Sequence, residues 1–270
     1  MNYITLGYHD VVEDGSQPAD GLRKAAHHYA LHRTSFQSHL LAIRRRTNPS
    51  AVQTLETVLT TKGMDAASNQ IPVFLTFDDG ARGADTCAAD ELERLGWRGH
   101  FFIVTTWIGS LGFINERQIR ELRSRGHVVG SHSHTHPPRM AQLDRPTLQR
   151  EWKQSCSRLS DVLGEPVTTA SIPNGYYSRA VADTAAEAGV RTLFTSEPKI
   201  SATLREGCLI LGRYAITSKT PGAEAGAIAA GDLTPRLGQA ASWQAKKAAK
   251  AIGGSAYLKL RGSLMSSSRA

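Results

Sequence analysis

The sequence predicts an α/β protein built as an incomplete or distorted (β/α) barrel of about seven parallel strands. Between residues 71 and 216, short apolar runs alternate with amphipathic stretches, as expected when strands and helices take turns in a parallel sheet. The composition, with 40% hydrophobic and 21% charged residues, is typical of a globular protein. The length of 270 residues is compatible with one closed barrel or two smaller domains. A doubly wound α/β sheet is the alternative.

The apolar runs and the turn residues between them place the elements in a regular order. Asp144 suits a helix start, and glycines suit the helix ends at Gly96, Gly126, Gly164 and Gly189. The predicted strands are residues 4–8, 73–77, 100–105, 127–130, 167–172, 190–195 and 208–216. The predicted helices are residues 36–46, 84–95, 116–125, 144–163 and 180–188.

The net charge of +8 is concentrated near the C-terminus. Residues 219–270 hold eight basic and two acidic side chains, whereas residues 1–218 are almost balanced. We therefore predict a main domain at 1–218 and a basic tail rich in Ala, Gly, Lys and Ser at 219–270, with a helix at 243–252. This distribution argues against a nucleic-acid-binding face on the main domain. The tail is either a solvated helix with a frayed end or a peripheral contact with an anionic membrane.

The sequence favours a reducing compartment. No stretch approaches the roughly 18 to 20 apolar residues that cross a bilayer, and the first ten residues lack the basic flank of an export signal. The three cysteines, Cys87, Cys156 and Cys208, are scattered and form no C-x-x-C pair. We therefore expect a cytoplasmic protein, with the inner surface of the membrane as an alternative location.

Two adjacent carboxylates, Asp78 and Asp79, follow the predicted strand at 73–77, and Gly80 permits a sharp turn after them. The carboxyl ends of parallel strands form the rim at which active sites are assembled. Because neighbouring carboxylates repel each other, keeping both ionised favours a nearby cation. The Asp-Asp-Gly sequence alone is also common in turns, so the prediction of a site depends on a second cluster.

That second cluster consists of His132, His134 and His136, which follow directly after the predicted strand at 127–130. In an extended chain the three rings share one face, whereas in a compact turn His132 and His136 converge and His134 diverges. Neutral imidazoles together with a carboxylate suit a divalent metal ion with an open coordination position. Zinc is the first choice, with cobalt, nickel and manganese as alternatives. The sequence therefore predicts a metal site.

Residues 76–80 and 132–136 resemble the first and second motifs of the NodB-like polysaccharide deacetylases, carbohydrate esterase family 4. Residues 8–11 and 36–41 are similar to the N-terminal region of a branch associated with exopolysaccharide synthesis. The resemblance covers roughly residues 3–217. It implies a metal-dependent hydrolase that removes N-acetyl groups from a hexosamine-containing polysaccharide or its precursor. A carbohydrate O-acetyl esterase and a catalytically inactive, metal-supported glycan-binding protein are the alternatives.

The resemblance also assigns roles to residues. It implies that Asp79, His132 and His136 bind the metal and that Asp78 is the general base, which takes a proton from the attacking water. The third motif of the family corresponds to residues 171–176, which contain the predicted oxyanion and substrate residues. They are Asn174 or Gly175 as the N–H donor to the oxyanion, with Pro173 and Tyr176 beside the substrate.

Three departures from the family pattern leave the general acid open. Residues 171–172 stand where the third motif often carries an arginine that orients the base. Residues 194–197 lack the Asp-rich fourth motif with its tryptophan, and residues 209–214 lack the histidine of the fifth motif. His9, at the end of the first strand, is the predicted acid, and His134 is the second choice. Arg213 is predicted to bind either the substrate or Asp78.

Overall fold

The computed structural model describes residues 2–18, 24–61, 71–175 and 177–248. The strands are β1 (Ile4–Tyr8), β2 (Val11–Val12), β3 (Leu31–His32), β4 (Val73–Phe77), β5 (His100–Ile103), β6 (Val128–Ser131), β7 (Thr169–Ser171), β8 (Thr192–Phe194), β9 (Thr203–Arg205), β10 (Cys208–Leu211) and β11 (Tyr214–Ala215). The helices are α1 (Lys24–Tyr29), α2 (Arg33–Arg46), α3 (Leu55–Thr61), α4 (Asp90–Glu93), α5 (Glu116–Ser124), α6 (Arg145–Leu163), α7 (Arg179–Glu187) and α8 (Gly222–Ala229). Residues 233–248 form a further helix, here named the C-terminal helix.

Nine of these strands form one sheet in the order β11-β1-β4-β5-β6-β7-β8-β10-β9. Every neighbouring pair is parallel except β9 and β10. β10 pairs with β8 and β11 pairs with β1, although Gly212 and Arg213 alone separate β10 from β11 along the chain. The chain therefore passes within two residues from one end of the parallel sheet to the other. The two ends must lie close together, so the sheet curls into a distorted barrel. The predicted fold class is confirmed, while the single strand predicted at 208–216 is divided in two.

Aromatic side chains from adjacent strands form part of the core. The ring of Phe77 lies between the rings of Tyr8 and Phe101, with centroid distances of 5.4 and 4.8 Å. Phe36 of α2 packs edge-on against Tyr8 at 5.3 Å. All four side chains are buried, so they hold β1, β4 and β5 in fixed register beneath the rim.

Two of the outer helices, α5 and α6, begin at a residue whose side chain caps the helix. Asp144 caps α6 by accepting the N–H of Thr147 at 2.9 Å, and Gly164 ends it in the left-handed conformation, at φ 72°. Asn115 and Gln118 form a capping box at the start of α5. These signals are local in the sequence, which is why the bounds of both helices could be predicted closely.

The chain continues to pack against the barrel beyond residue 218, where the predicted main domain ends. α8 lies in an Ala/Gly-rich stretch in which the sequence predicts no helix, because glycine disfavours helical structure. Its glycines nevertheless permit close packing against α2. A Cβ atom on Gly226 would lie 2.8 Å from the carbonyl oxygen of Ala42, and one on Gly222 would lie 2.3 Å from Ser38 Oγ. The predicted helix at 243–252 overlaps the C-terminal helix, and its residues from 249 onward lie outside the described residues.

Replacing Gly226 with alanine is expected to lower the free energy of unfolding by about 1–3 kcal/mol, because the added methyl group forces α8 away from α2. Urea denaturation followed by circular dichroism measures this change. Gly238→Ala in the C-terminal helix is the control, since a Cβ atom there meets nothing within 4 Å. We expect the control to be neutral or to stabilise the protein by up to about 1 kcal/mol. Equal stability of Gly226→Ala and the wild type would contradict the close packing.

The carboxyl ends of the parallel strands bring the chemically important segments to one rim. His9 follows β1, the Asp78–Asp79 pair follows β4, and His132 follows β6. Residues 172–175 follow β7, and Arg213 lies in the break between β10 and β11. The barrel therefore collects residues that are far apart in the sequence at the end where parallel α/β proteins place their active sites.

Candidate active site

Asp79, His132 and His136 lie together at this rim. Asp79 Oδ1 is 3.4 Å from His132 Nε2 and 3.5 Å from His136 Nε2. One ligand atom from each residue lies within 4.8 Å of the other two. Ligand atoms about 2.1 Å from a tetrahedral zinc ion are about 3.4 Å apart. The donor atoms and their spacing therefore fit a divalent metal ion with room for a further ligand.

Left-handed backbone conformations concentrate at these residues. Asp79, Ser133 and His136 have φ values of 75°, 67° and 57°. Such values cost non-glycine residues about 1–3 kcal/mol each and persist only where the surroundings impose them. Ser133 contributes to this constraint, because its Oγ accepts the N–H of His136 at 3.0 Å. The unfavourable conformations at both Asp79 and His136 point to a functional constraint on these two residues.

Glu151 of α6 stabilises the histidine turn, residues 132–136. Its Oε2 accepts the N–H groups of His134 and Thr135 at 3.0 and 2.9 Å, and its Oε1 accepts the Thr135 hydroxyl at 2.7 Å. In the resulting compact turn, His134 faces away from the other two rings, with its Nδ1 2.8 Å from Thr105 Oγ1. The structure thus corresponds to the compact-turn alternative, in which His132 and His136 converge.

The second ring nitrogen of His132 is held by Ser171. His132 Nδ1 lies 3.2 Å from the carbonyl oxygen of Ser171 and 2.5 Å from its Oγ, so Nε2 is directed to Asp79. Burial lowers the pKa of His132, an effect that the carboxylate of Asp78 opposes. The imidazole is therefore neutral at pH 7, which is the form that binds a metal.

Asp78 is paired with a cation supplied by the chain itself. Arg213 donates from Nη1 to Asp78 Oδ1 at 2.7 Å and from Nη2 to Oδ2 at 2.8 Å, and both side chains are almost fully buried. Arg213 Nε donates to the carbonyl oxygen of Thr195 at 3.0 Å, which fixes the guanidinium. Burial acts to raise the pKa of Asp78, but Arg213 and His132 outweigh burial and hold that pKa well below its usual range.

The two neighbouring carboxylates thus have different environments. Arg213 neutralises Asp78, whereas Asp79 lies with the imidazoles. Ser171 Oγ donates to Asp78 Oδ1 at 3.0 Å, so that oxygen accepts bonds from two residues. Asp78 Oδ2 lies 3.9 Å from His132 Nε2, on the side of the candidate metal ligands. Of the two roles predicted for Arg213, the geometry therefore favours the partner of Asp78.

His9 lies on the same rim and stacks on Tyr29, with ring centroids 4.4 Å apart. Its Nδ1 is buried and has no hydrogen-bond partner among the described residues. Burial lowers the pKa of His9 to about 4, while the nearby Asp78 carboxylate acts to raise it and Arg213 to lower it. The imidazole is therefore neutral at pH 7, and it is close enough to the Asp78–Arg213 pair to respond to its charges.

The third-motif loop is a tight turn. The N–H of Gly175 donates to the carbonyl oxygen of Ile172 at 3.1 Å, so it is used within the loop and does not favour the Gly175 alternative for the oxyanion donor. Asn174 is exposed, with φ 56°. Pro173 is buried and has no N–H to offer. Tyr176 lies outside the described residues.

Two residues of the site have functions that the sequence pattern does not indicate. Glu151 lies on the buried face of its helix beside Trp152, and an acidic residue in a mostly apolar stripe is a usable signal of a polar partner. Ser171 is separated from Asp78 by 93 positions in the chain. Its place at the end of a predicted strand was the available signal, since strand ends meet at one rim.

Comparison with known proteins relates the chain to polysaccharide deacetylases. A family model described as polysaccharide deacetylase matches residues 65–193, which include both carboxylates and the histidine turn. YxkH of Bacillus subtilis, provisionally named a polysaccharide deacetylase, is 26% identical over 155 residues, which cover 57% of this chain and 55% of that protein. The chain spans about half the length of the curated relatives it matches.

Solved structures share the fold. The deacetylase PplD of Streptococcus pyogenes, in complex with acetate, has a TM-score of 0.66 at 20% identity, covering 82% of this chain and 95% of that one. A de-N-acetylase from Aggregatibacter actinomycetemcomitans has a TM-score of 0.66 at 18% identity, covering 82% of this chain and 97% of that one. These likenesses confirm the barrel. With the family match, they confirm the resemblance to the NodB-like polysaccharide deacetylases that the sequence indicates.

Proposed function

We propose that the protein is a metal-dependent hydrolase that removes N-acetyl groups from a hexosamine-containing polysaccharide or its precursor. One observation carries this proposal: the metal-ligand set of Asp79, His132 and His136 has a buried, ionised carboxylate, Asp78, directly beside it. The match to the polysaccharide deacetylase family supports the reaction class. The name de-N-acetylase, carried by a protein of the same fold, supports an amide substrate.

Asp79, His132 and His136 would hold the ion, with zinc the first choice and cobalt, nickel or manganese the alternatives. Bound there, it would lower the pKa of a water molecule and polarise the acetyl carbonyl. Asp78 then takes the proton from the attacking water at Oδ2. This oxygen has a single described hydrogen bond, from Arg213, and a carboxylate oxygen can accept a second.

Two further groups complete the proposed reaction. The N–H of Asn174 stabilises the negative charge that develops on the acetyl oxygen. As the C–N bond breaks, the leaving nitrogen needs a proton, and His9 is the proposed donor. The imidazole has to take up that proton from solvent first; burial opposes this, while the nearby Asp78 carboxylate favours the protonated ring.

Removal of O-acetyl groups is the second candidate activity, and one observation favours it. Burial keeps His9 neutral at pH 7, and an alcohol needs less assistance from an acid than an amine does when it leaves. We expect His9→Gln to slow acetate release from an N-acetylated oligosaccharide by about 10²-fold or more, because general acid catalysis contributes that much. Hydrolysis of 4-nitrophenyl acetate should slow far less. An equal loss on both substrates would contradict the role of His9 as the acid.

Acetate release by the zinc- or cobalt-loaded protein tests the proposed function. Using penta-N-acetylchitopentaose as the substrate, we expect release that stops on chelation and returns when the metal is restored. Unchanged activity in both Asp78→Asn and Asp79→Ala would overturn the proposal. Bound metal without acetate release from any acetylated sugar would instead favour the glycan-binding alternative.

The membrane contact predicted for the tail receives no support from the comparisons. None of the helices in the described ranges is both long and apolar enough to cross a bilayer. The described part of the tail packs against the barrel instead. The cytoplasmic location is proposed from the sequence.

A further inference from the structure

The C-terminal helix is attached to the edge of the barrel by specific hydrogen bonds. The side-chain amide of Gln239 donates to the carbonyl oxygen of Ala215 and accepts its N–H, both at 3.0 Å. Arg236 Nε donates to the hydroxyl of Tyr214 at 3.0 Å. Gln239 thus satisfies both backbone groups of a residue in β11, much as a neighbouring strand would. These bonds fix the helix beside the break that holds Arg213.

One turn further along the same helix face, Trp243 reaches the third-motif loop. Residues four apart lie on one side of a helix, so the anchor at Gln239 sets the position of Trp243. Trp243 Cη2 lies 3.1 Å from the position that a Cβ atom on Gly175 would take, and Ser196 Oγ lies 2.5 Å from the same position. Trp243 is half-buried, so part of its ring surface remains open to solvent.

The loops around Trp243 are also the loops that hold the proposed general base. Ser171, four residues before Gly175, donates to Asp78. The carbonyl oxygen of Thr195, directly before Ser196, accepts a hydrogen bond from Arg213 Nε. Four residues span at most about 14 Å, so Gly175 lies within that distance of Ser171. Trp243 therefore stands at the edge of the candidate active site.

An exposed ion pair lies near the end of the same helix. Lys247, one turn beyond Trp243, lies 4.0 Å from Glu197 Oε1, in the segment that follows β8. Trp243 thus lies on the helix between two contacts with the barrel, one at Gln239 and one at Lys247. A large, rigid aromatic surface at the edge of a polar site suits a ligand that has both an apolar face and hydroxyl groups. A pyranose ring is such a ligand.

We propose that Trp243 is a sugar-binding residue, which contacts a hexosamine ring of the glycan at the edge of the Asp79–His132–His136 site. This inference rests on the proposed function for the identity of the substrate, but the position of Trp243 follows from the contacts alone. The 233–248 segment is then part of the substrate-binding surface of the enzyme. Trp243 determines which glycans are held long enough to react.

Binding of penta-N-acetylchitopentaose to the zinc-loaded full chain, measured by calorimetry in an Asp78→Asn background, tests this inference. We expect Trp243→Ala to weaken binding about tenfold or more, equivalent to about 1.4 kcal/mol. Trp243→Phe, which keeps an aromatic face, should recover most of the affinity. Gln244→Ala, at an exposed neighbouring position on the same helix, is the matched control and should bind like the parent. In the active enzyme, the rise in KM for Trp243→Ala should exceed any fall in kcat.

The possible results separate this inference from the proposed function. If the loaded protein releases no acetate but Trp243→Ala still weakens oligosaccharide binding, the proposed function fails and the sugar-binding role stands. If acetate is released and Trp243→Ala binds and turns over like Gln244→Ala, the sugar-binding role is overturned. An absence of measurable oligosaccharide binding by the parent would overturn it as well. A loss of folding in Trp243→Ala would show as a lowered Tm, and Trp243→Phe would then decide between the two results.

Discussion

Asp78→Asn is expected to lower the rate of acetate release by about 10²- to 10⁴-fold, the usual contribution of a general base. Asparagine has nearly the same shape as aspartate and still accepts a hydrogen bond from Arg213, but it cannot take up a proton at the position of Oδ2. The rate is measured with the metal at saturating concentration, so that a change in metal affinity does not enter the comparison.

Two measurements make the Asp78 result specific. The metal content of Asp78→Asn should equal that of the wild type, because Asp79 and the two histidines are intact. Asp161→Asn, at an exposed position of α6, is the matched control and should keep full activity. If Asp78→Asn kept more than half of the wild-type rate, Asp78 would not be the base.

Arg213→Met is expected to lower the free energy of unfolding by about 3–5 kcal/mol, because it leaves the buried Asp78 carboxylate without its partner. Arg213 is 3% exposed and donates to both oxygens of that carboxylate. The rate of acetate release should fall as well, since Asp78 loses the group that orients it. Urea denaturation gives the stability, and the acetate assay gives the rate.

A surface pair and a double variant serve as comparisons for Arg213. Arg145→Met breaks the exposed pair with Glu187, and such pairs contribute about 0–1 kcal/mol. Combining Arg213→Met with Asp78→Asn removes the uncompensated charge, so part of the lost stability should return. If Arg213→Met unfolded at the same urea concentration as the wild type, the pairing with Asp78 would be energetically unimportant.

The grouping of the candidate metal ligands could be predicted because they lie in two segments that each follow an apolar run. Asp79 comes after β4 and His132 after β6, and the ends of parallel strands meet at one rim whatever the details of the packing. The divergence of His134 could be stated only as an alternative, because it depends on Glu151 of a different element. The local pattern therefore identified the donor atoms, while tertiary contacts determined which of them converge.

The pairing of Asp78 with Arg213 depends on closure of the barrel. The two residues are 135 positions apart, and they meet because the chain passes from β10 to β11 at the position of Arg213. The sequence indicates a strand there but not its break. It therefore does not decide whether Arg213 binds the substrate or Asp78. The adjacent carboxylates predict a single cation near both of them. In the structure, the cation beside Asp78 is the guanidinium of Arg213.

The C-terminal region shows the limit of local patterns most clearly. The low helix propensity of glycine hides α8, although Gly222 and Gly226 stabilise its packing by allowing α2 to approach. The basic composition of the tail suggested a solvated helix. The C-terminal helix is attached to the barrel through the side-chain amide of Gln239, which bonds to the backbone of Ala215. A periodic sequence pattern does not predict such a contact.

The most direct test of the central claim is a zinc titration of the metal-free protein in competition with a chelator. We expect one equivalent to bind to the wild type and to His134→Ala, because His134 is turned towards Thr105. Asp79→Ala, His132→Ala and His136→Ala should each bind more than about 100-fold more weakly, beyond the 10–100-fold effects of residues that only support ligands. Wild-type affinity in those three variants, or a matching loss in His134→Ala, would contradict the metal site on which the proposed chemistry depends.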